Sequence, residues 1–445
     1  MLQSRKGSSF ASKFLLKLKT NKMKNFKLTK KLMMGAAVAC VLSVSLSSCK
    51  DDDDDKDTPT VNPIVQGQVD VTGDISTDVT WTSNNIYVLK SRVIVKNGAT
   101  LTIQPGTIIK GDEGAEADAK PLVIAKGAKI MAQGTAANPI IFTSVLDNIK
   151  LGEKVGTNLT ESNRGLWAGL IILGDAPISP QTGTTARIEG IPASVAEGVY
   201  GGSNATDNSG ILQYVSVRHA GVELVPGGGN EINGITLGGV GSGTTIEHVE
   251  VIANLDDGIE WFGGTVNVSH ALVAYQGDDA FDVDQAYSGT ISNVAYIAGA
   301  DSDHALEIDG PEGTFQGSFT LTGGKLKGNK GEYADFRSNA KGIVENLYFW
   351  NFEAGDDVEL DNDGVSANYN AGELTMRNCV FNAPAGVTIQ AISKDNATNP
   401  PAGFDFDVEF VADNNSVGTT APAGFNKGEF TGWTWADNKG LLSDF

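Results

Sequence analysis

Apolar and polar positions alternate in short runs between residues 245 and 310, and the runs recur at a nearly constant interval. Each repeat opens with a strand-like segment, in which Ile246, Val268 and Ile291 hold equivalent places. Helical periodicity is missing from these segments. A short repeat built from strands is typical of a β-solenoid, in which every repeat adds one coil. The pattern therefore predicts an all-β fold of parallel coils.

An acidic corner follows the strand in each of these repeats, and a fourth corner lies further along the chain. The corners are residues 256–260, 278–284, 303–309 and 356–361. The segment Asn233-Gly234-Ile235-Thr236 matches the first corner one repeat earlier, but Asn233 and Thr236 replace Asp257 and Glu260. We therefore expect the acidic face to begin near Asp256.

Weaker copies of the pattern occur nearer the N-terminus. Residues 93–109 and 122–142 are predicted to form an earlier pair of coils, with Leu101 and Leu122 in equivalent places. After the acidic corners the strand pattern returns in residues 344–349 and 376–381. The repeat therefore extends over most of the chain.

Two polar segments, residues 145–165 and 176–210, interrupt the repeat. A solenoid accommodates such segments as loops that leave one face, so we predict insertion loops. The tail is rich in aromatic residues around Trp433 and Trp435. We predict that it caps the open end of the coil, where backbone groups would otherwise lack partners.

The N-terminal region has the form of a secretion signal. Residues 1–48 contain ten Lys or Arg residues and no acid, and the apolar run 32–46 is too short for a membrane span. The predicted organisation is therefore a signal peptide (1–48), an acidic disordered tether (49–66), a parallel β-helix (67–430) and a C-terminal cap (431–445).

Charge and cysteine content exclude some functions. The chain has 33 basic and 54 acidic residues, and 23 of the basic residues but all of the acids lie beyond residue 48. So acidic a surface repels nucleic acid and anionic lipid, and attracts cations. Three cysteines cannot form a disulfide framework, and Cys379 is expected to be a buried apolar residue.

The sequence Leu46-Ser47-Ser48-Cys49 resembles the lipobox of bacterial lipoproteins. That resemblance implies cleavage before Cys49 and a lipid on its thiol, which would hold the protein at a membrane. Lys50 and the five aspartates that follow it are similar to the export signal of Bacteroidetes lipoproteins. The expected location is the outer membrane, facing the cell exterior.

Longer phrases extend the resemblance from about residue 67 to the C-terminus. They are LTIQPGTIIKG, LVIAKGAKIMAQGTAANPIIFTS, NEINGITLGGVGSGTTIEHVEV and DDGIEWFGGTVN. They resemble a family of Bacteroidetes outer-membrane lipoproteins of the pectate-lyase-like superfamily. The resemblance implies a right-handed parallel β-helix.

The acidic corners suggest a cation. Coils stack about 4.8 Å apart, so neighbouring carboxylates would repel by about 3 to 4 kcal/mol per pair at an effective dielectric constant of about 20. Two oxygens on one calcium ion lie at most about 5 Å apart, so calcium could bridge adjacent coils. The alternative is a hydrated acidic face that binds no ion at a fixed site. The predicted ligand pool is Asp257, Glu260, Asp279, Asp282, Asp284, Glu307, Asp309, Glu359 and Asp361.

Two histidines occupy a repeated place in the coils. His248 and His270 stand where Asn293, Asn346 and Asn378 stand in other coils. A polar ladder at the strand ends accounts for all five residues, and we prefer it to a metal site.

Two tryptophans are candidate ligand contacts. Trp261 and Trp350 could stack on sugar rings, although packing within a coil is the simpler role for each. Arg218, His219 and Arg337 are the possible bases of a lyase mechanism, and none of them lies in an acidic corner of the sequence.

These observations predict a surface lipoprotein whose calcium-stabilised β-helix is a binding or adhesion scaffold for a glycan or envelope component. The alternative is a polysaccharide lyase or glycoside hydrolase acting on acidic polysaccharide, because paired carboxylates suit that chemistry. The segment Gly277-Asp278-Asp279 resembles an acidic motif of polygalacturonases. The Gly-His-Gly and Arg-x-Lys motifs that follow it in those enzymes are absent from this sequence. We therefore assign no catalytic residue.

Overall fold

A computed structural model describes residues 67–114, 118–222, 232–329 and 331–445. The signal peptide, the lipidation site at Cys49 and the tether predicted for residues 1–66 lie outside this part of the chain. Within the described ranges, no helix is both long and apolar enough to cross a bilayer.

Short strands and three short α-helices make up most of the regular structure in the described chain. The first strands are β1 (Gly67–Val71), β2 (Val79–Trp81), β3 (Asn85–Leu89), β4 (Val93–Val95), β5 (Thr100–Ile103), β6 (Ile108–Gly111), β7 (Leu122–Ile124), β8 (Lys129–Gln133), β9 (Ile140–Ser144), β10 (Leu170–Leu173), β11 (Ala186–Arg187), β12 (Val199–Tyr200), β13 (Gly210–Arg218) and β14 (Ile235–Gly238). The remaining strands are β15 (Thr245–Ile252), β16 (Ile259–Phe262), β17 (Asn267–Ala274), β18 (Phe281–Asp284), β19 (Thr290–Ile297), β20 (Leu306–Ile308), β21 (Phe319–Lys327), β22 (Ala334–Phe336), β23 (Gly342–Trp350), β24 (Val358–Leu360), β25 (Leu374–Arg377), β26 (Val380–Asn382), β27 (Ser393–Asp395) and β28 (Ser416–Val417). The helices are α1 (Asp363–Asn370), α2 (Phe406–Ala412) and α3 (Trp435–Asn438).

The strands form two large parallel sheets that wind around one core. A ten-stranded sheet runs β27-β24-β22-β20-β18-β16-β14-β10-β7-β4, and a sixteen-stranded sheet contains the long strands β13, β15, β17, β19, β21 and β23. Ile246 pairs with Val268 and Val268 pairs with Ile291, as the repeat predicted. The predicted right-handed parallel β-helix is confirmed.

The predicted register of the early coils is wrong. Leu101 pairs with Ile130, whereas Leu122 pairs with Val93 in the other sheet. The pattern Leu-x-Ile followed by a turn occurs in both sheets of one coil. In each sheet, inward apolar side chains alternate with outward ones along the strand. Matching these segments by spacing alone therefore aligned strands from different faces.

The segments predicted to be insertion loops lie outside the coil. No strand of the described chain falls between β9 and β10, where residues 145–165 are found. Residues 176–210 contain the antiparallel pair β11 and β12 and a short 3-10 helix (Ala196–Gly198) before β13 begins.

A ladder of left-handed residues bends each long strand of the sixteen-stranded sheet. Its members are Tyr214, His248, His270, Asn293, Gly323, Asn346 and Asn378, with φ between 50° and 71°. The predicted polar ladder is therefore present, but it lies at a bend within the strand rather than at the strand end. Asn and Gly suit this conformation better than other residues do.

The C-terminal residues 414–445, here called the strap, run back along this ladder. Their contacts are, in order, Asn414 with Asn378, Asn426 with Asn293, Glu429 with His248, and Trp433 with Tyr214. The prediction that the aromatic tail caps the end of the coil is therefore wrong. Helix α2 packs near that end instead, where Phe406 and Phe410 join the core.

The strap lies there because part of the outer sheet surface is apolar. Leu272, Ala274 and Ile297 face outward and would be exposed to water without a cover. Phe430 and Trp435 of the strap bury this surface. Apolar burial therefore decides where the tail packs.

Candidate functional site

The ten-stranded sheet carries a column of carboxylates on its outer face. The column consists of Glu260, Asp282, Glu307, Asp335 and Glu359, each paired in register with the next. The residues on either side of each carboxylate point into the core, because side chains alternate along a strand. We call these five residues the acidic column.

A second line of polar residues lies one turn before the strands. Asp257 Oδ1 accepts a hydrogen bond from the backbone N–H of Asp279 in the next coil, at 2.9 Å. Asp279 Oδ1 accepts in the same way from the backbone N–H of His304, at 2.6 Å. These carboxylates therefore join successive coils as well as carrying charge.

Neighbouring acids disfavour ionisation at the start of the column. Burial, followed by the charges of nearby carboxylates, raises the pKa values of Asp257, Glu260 and Asp282. Burial also raises the pKa of Asp284 to about 7 and that of Asp335 to about 7. Placing a cation among these groups would reduce the repulsion.

Basic side chains balance the negative charge of the later part of the acidic column. Arg337 forms ion pairs with Glu307 and with Asp309, the latter at 2.8 Å, and Lys394 pairs with Glu359. These lysine and arginine contacts occupy oxygens that the sequence analysis assigns to calcium. Glu307, Asp309 and Glu359 therefore already have basic partners in this structure.

His304 balances negative charge in the middle of the site. Its Nδ1 lies 2.8 Å from Asp279 Oδ1 and 3.6 Å from Glu307 Oε2. Burial lowers the pKa of His304, but the hydrogen bond and charge of Asp279 outweigh burial and raise it to about 9. The imidazole therefore acts as a cation at neutral pH.

Three predicted ligands converge at a place where no basic side chain of the described residues forms an ion pair with them. Oxygen atoms of Asp257, Glu260 and Asp282 lie within 4.8 Å of one another. None of the ion pairs formed within the described ranges includes these three residues. Asp282 Oδ1 is buried and lacks a hydrogen-bond partner among the described residues. We call Asp257, Glu260 and Asp282 the carboxylate cluster.

Asn233 completes the carboxylate cluster from the preceding coil. This side chain is fully buried, and its Nδ2 donates a hydrogen bond to Glu260. The Oδ1 on the same amide group has no partner in the described part of the chain. An unsatisfied carbonyl oxygen beside three carboxylates suits a hard cation such as calcium.

The other predicted ligands are spread along the face. Asp282, Glu307 and Asp309 form one overlapping group, and Asp279 forms another with His304 and Glu307. Asp284 interacts with the charge of Asp309. Glu359 lies two coils beyond Glu307, and Asp361 is exposed near that end of the sheet.

The three possible lyase bases differ in their surroundings. Arg337 stands outside the acidic corners of the sequence, but its side chain reaches Glu307 and Asp309 beside the acidic column. Arg218 is fully buried beside Glu250, and His219 is buried with Nδ1 2.7 Å from the carbonyl oxygen of Asn163. Neither buried group can reach a polysaccharide.

The two tryptophans differ in accessibility. Trp261 is fully buried in the core, so its predicted contact with a ligand is wrong. It occupies an inward position in β16, between Leu237 and Val283. Trp350 points outward and is partly covered by Phe445, with ring centroids 4.8 Å apart.

Sequence reasoning missed Asp335 and Asn233. Asp335 lies between Glu307 and Glu359, whose separation in the chain leaves room for one further repeat. That wide interval was a signal for an intervening coil. In the sequence, Asn233 is recognisable only as the residue that aligns with Asp257 of the next coil. The direction of its amide group, toward the carboxylates, is visible only in the structure.

The coiled fold and the acidic column define the class of protein as a parallel β-helix with an acidic outer face on its ten-stranded sheet. Residues 73–438 match the family described as a pectate-lyase like beta helix domain. The chain therefore belongs to that family. A search of curated proteins found no match.

Proposed function

We propose that the protein is a cell-surface lipoprotein whose β-helix binds a glycan or another envelope component and is stabilised by calcium. The family's fold suits a carbohydrate-related role. Lipid on Cys49 would provide the anchor, and the tether would hold the β-helix away from an outer membrane. The acidic charge argues against nucleic acid as a partner.

The carboxylate cluster is the observation that carries the calcium proposal. Its three carboxylates and the Oδ1 of Asn233 would give one ion four protein oxygens, and water would complete the coordination. The ion would join three coils, because Asn233, Glu260 and Asp282 come from successive strands or their corners.

Thermal unfolding with calcium and with chelator tests this proposal. Calcium should raise the melting temperature of the wild-type protein, because an ion that binds only the folded state stabilises it. Asp282→Asn and Glu260→Gln should reduce that increase. Asp361→Asn is the matched control, since Asp361 is an exposed member of the predicted pool.

The calcium proposal fails if chelator leaves the wild-type midpoint unchanged. It also fails if Asp361→Asn removes the calcium response while Asp282→Asn preserves it. Isothermal titration with calcium alone gives the stoichiometry, which we expect to be dominated by one site.

Trp350 is the proposed contact for a glycan. Trp350 and Tyr348 lie side by side on the outer face, with ring centroids 5.6 Å apart and planes within 25°. Aromatic rings such as these offer apolar surface on which a sugar ring can stack. Lys325 lies 5.9 Å from the Tyr348 ring and would favour an acidic sugar.

A glycan array with wild type and Trp350→Ala tests the contact. Binding should weaken in the variant and persist in Phe315→Ala, which removes an exposed aromatic residue elsewhere. Equal binding by all three proteins would rule out Trp350 as the contact.

Hydrolysis or elimination of an acidic polysaccharide is the second candidate function. The raised pKa values of Asp284 and Asp335 favour it, because a carboxyl with a pKa of about 7 can donate a proton at neutral pH. Against it, Arg337 and Lys394 are bound to the acids rather than facing them across a cleft.

Incubation with polyuronates and neutral glycans separates the two functions. Unsaturated products would reveal a lyase, and new reducing ends would reveal a hydrolase. Turnover that disappears in Asp279→Asn and Asp282→Asn would replace the binding proposal with an enzymatic one.

A further inference from the structure

The contact between the strap and the left-handed ladder fixes the tautomer of one neutral histidine. The backbone N–H of Asn426 donates to Asn293 Oδ1 at 2.7 Å, and Asn293 Nδ2 donates back to the Asn426 carbonyl oxygen at 3.3 Å. Flipping the Asn293 amide, so that its oxygen and nitrogen exchange places, would put its NH₂ against a backbone N–H. The orientation of this amide is therefore set by the backbone of the strap.

Asn293 also contacts His270. Its Nδ2 lies 2.8 Å from His270 Nδ1. Because Nδ2 can only donate, Nδ1 must be the acceptor, and the proton of a neutral His270 lies on Nε2. A doubly protonated His270 would bring two donors together at this contact.

A metal site is a less suitable explanation of the same residues. Ligand atoms of His248, His270 and Glu429 do lie within 4.8 Å of one another. A histidine that binds metal through Nε2 carries a proton on Nδ1 and donates it to an acceptor. His270 Nδ1 faces a donor instead, and His248 Nδ1 has no hydrogen-bond partner among the described residues.

We propose that the strap is a proton-sensitive latch, docked on the ladder while His270 is neutral and released when His270 takes up a second proton. Release requires Asn293 to turn away from His270, which breaks both of its hydrogen bonds to Asn426. The part of the apolar outer surface that Phe430 covers would then be exposed, while Glu250 still holds the strap at Trp435. Acid would thus expose a surface that is closed at neutral pH.

The charged groups around His270 have opposing effects on its pKa. Burial, and then the charge of His248, lower the pKa of His270, whereas Glu429 and Glu247 raise it, with a net lowering. A histidine with a lowered pKa in the docked state loses docking stability as pH falls below the ordinary value of about 6.5. Glu429 of the strap also contacts His248, with 3.0 Å between Glu429 Oε2 and His248 Nε2.

Hydrogen exchange measured by mass spectrometry on the full chain tests the latch. Peptides covering residues 425–433 should exchange at least about tenfold faster at pH 5 than at pH 7.5, after correction for intrinsic rates. Peptides from β17 and β19 should keep their protection, because the coil itself remains folded.

The variant His270→Asn should remove the pH dependence and keep the strap docked. Asparagine already occupies this place in other coils, and its Oδ1 can accept from Asn293 at any pH. His248→Asn is the matched control and should retain the acid response, even if its overall protection falls. His270→Gln is a second variant with the same expectation as His270→Asn.

Three outcomes would overturn the latch. The first is equal protection of the wild-type strap at the two pH values, and the second is an unchanged acid response in His270→Asn and His270→Gln. The third is a zinc-dependent increase in strap protection that His270→Asn abolishes, since that would identify a metal site.

Discussion

Arg218 and Glu250 form a charged pair in the interior, with 3.9 Å between Nη2 and the Glu250 Oε2 and no exposure of either side chain. Glu250 also accepts hydrogen bonds from the backbone N–H groups of Trp435 and Ala436, at 2.8 and 2.9 Å. One carboxylate therefore joins a guanidinium in β13 to the first turn of α3. This pair fixes the strap at a point separate from the His270 contact.

Replacing Glu250 should be strongly destabilising. Leu272 holds the equivalent place in the next coil, so Glu250→Leu fits the backbone but leaves the buried charge of Arg218 without its carboxylate partner. We expect a loss of about 3 to 5 kcal/mol in the free energy of unfolding, measured by urea denaturation. Adding Arg218→Ile, which copies Ile252 of the next coil, should recover part of that loss. Additive losses in the double variant would contradict this explanation.

Gly323 is required where the strap crosses the ladder. Its φ is 71°, and a Cβ at this place would lie 2.6 Å from the carbonyl oxygen of Gly424. Gly372 has a φ of 69° but no neighbour within 4 Å, so it is a matched control for backbone strain. Gly323→Ala should cost about 2 kcal/mol more than Gly372→Ala in urea denaturation. Similar losses would show that the strap yields without cost at this contact.

Arg337 should contribute more to stability than an ordinary surface arginine. Its guanidinium neutralises Glu307 and Asp309 and lies 3.8 Å from Asp335. In the presence of chelator, Arg337→Gln should lose about 1 kcal/mol at neutral pH, the value being limited by the partial exposure of Arg337.

The control for Arg337 is Arg377→Gln, which removes a single ion pair with Glu345 at 2.9 Å. Its unfolding free energy should change by less than about 0.5 kcal/mol. Equal effects of the two variants would mean that the acidic column gains nothing from its internal arginine.

His219 should make the protein sensitive to acid. Burial is the main reason why the pKa of His219 falls to about 4. Because the folded-state pKa is lower than the unfolded value of about 6.5, protonation favours unfolding, and stability is lost as pH falls from about 6.5 to about 4. The full effect is about 3 kcal/mol.

His219→Asn removes this titrating group and suits the left-handed φ of 59° at this place. The stability advantage of wild type over the variant should shrink by up to about 3 kcal/mol between pH 7 and pH 4. Urea denaturation across that range measures the difference. A constant difference would mean that His219 is not the group that titrates.

Cys49 should carry lipid if the lipobox is used. Metabolic labelling of the producing bacterium with a palmitate analogue should label the wild-type protein and leave Cys49→Ser unlabelled. The variant Cys379→Ser is the control, since Cys379 is buried and its pKa is raised by burial to about 12. Labelling of Cys49→Ser would exclude lipidation at this residue.

The repeat in the sequence was enough to predict the coil and much of the site. The strand register from Ile246 to Ile291 and the stacking of Glu260, Asp282 and Glu307 follow from spacing alone. In a parallel coil the hydrogen-bonded register fixes which side chains become neighbours. Cys379 is likewise buried as predicted.

The partners of these residues could not be read from the sequence. Arg337 reaches into the acidic column and Asn233 turns its amide toward Glu260, because side-chain direction depends on packing across coils. The predicted place of the strap was wrong since local aromatic content does not reveal which apolar surface needs covering. The spacing between Leu101 and Leu122 likewise could not show that the two residues lie in different sheets, because both sheets have the same alternation of inward and outward side chains.

The spacing of the repeats alone predicts a parallel β-helix and a line of carboxylates along one face. Contacts between distant parts of the chain set which of those carboxylates meet a basic side chain, and where the C-terminal strap packs. The reason is that backbone register is repeated along the chain at a nearly constant interval. Compensation of charge and burial of the outer apolar surface depend on residues such as Asn426 and Asn293, which are 133 positions apart.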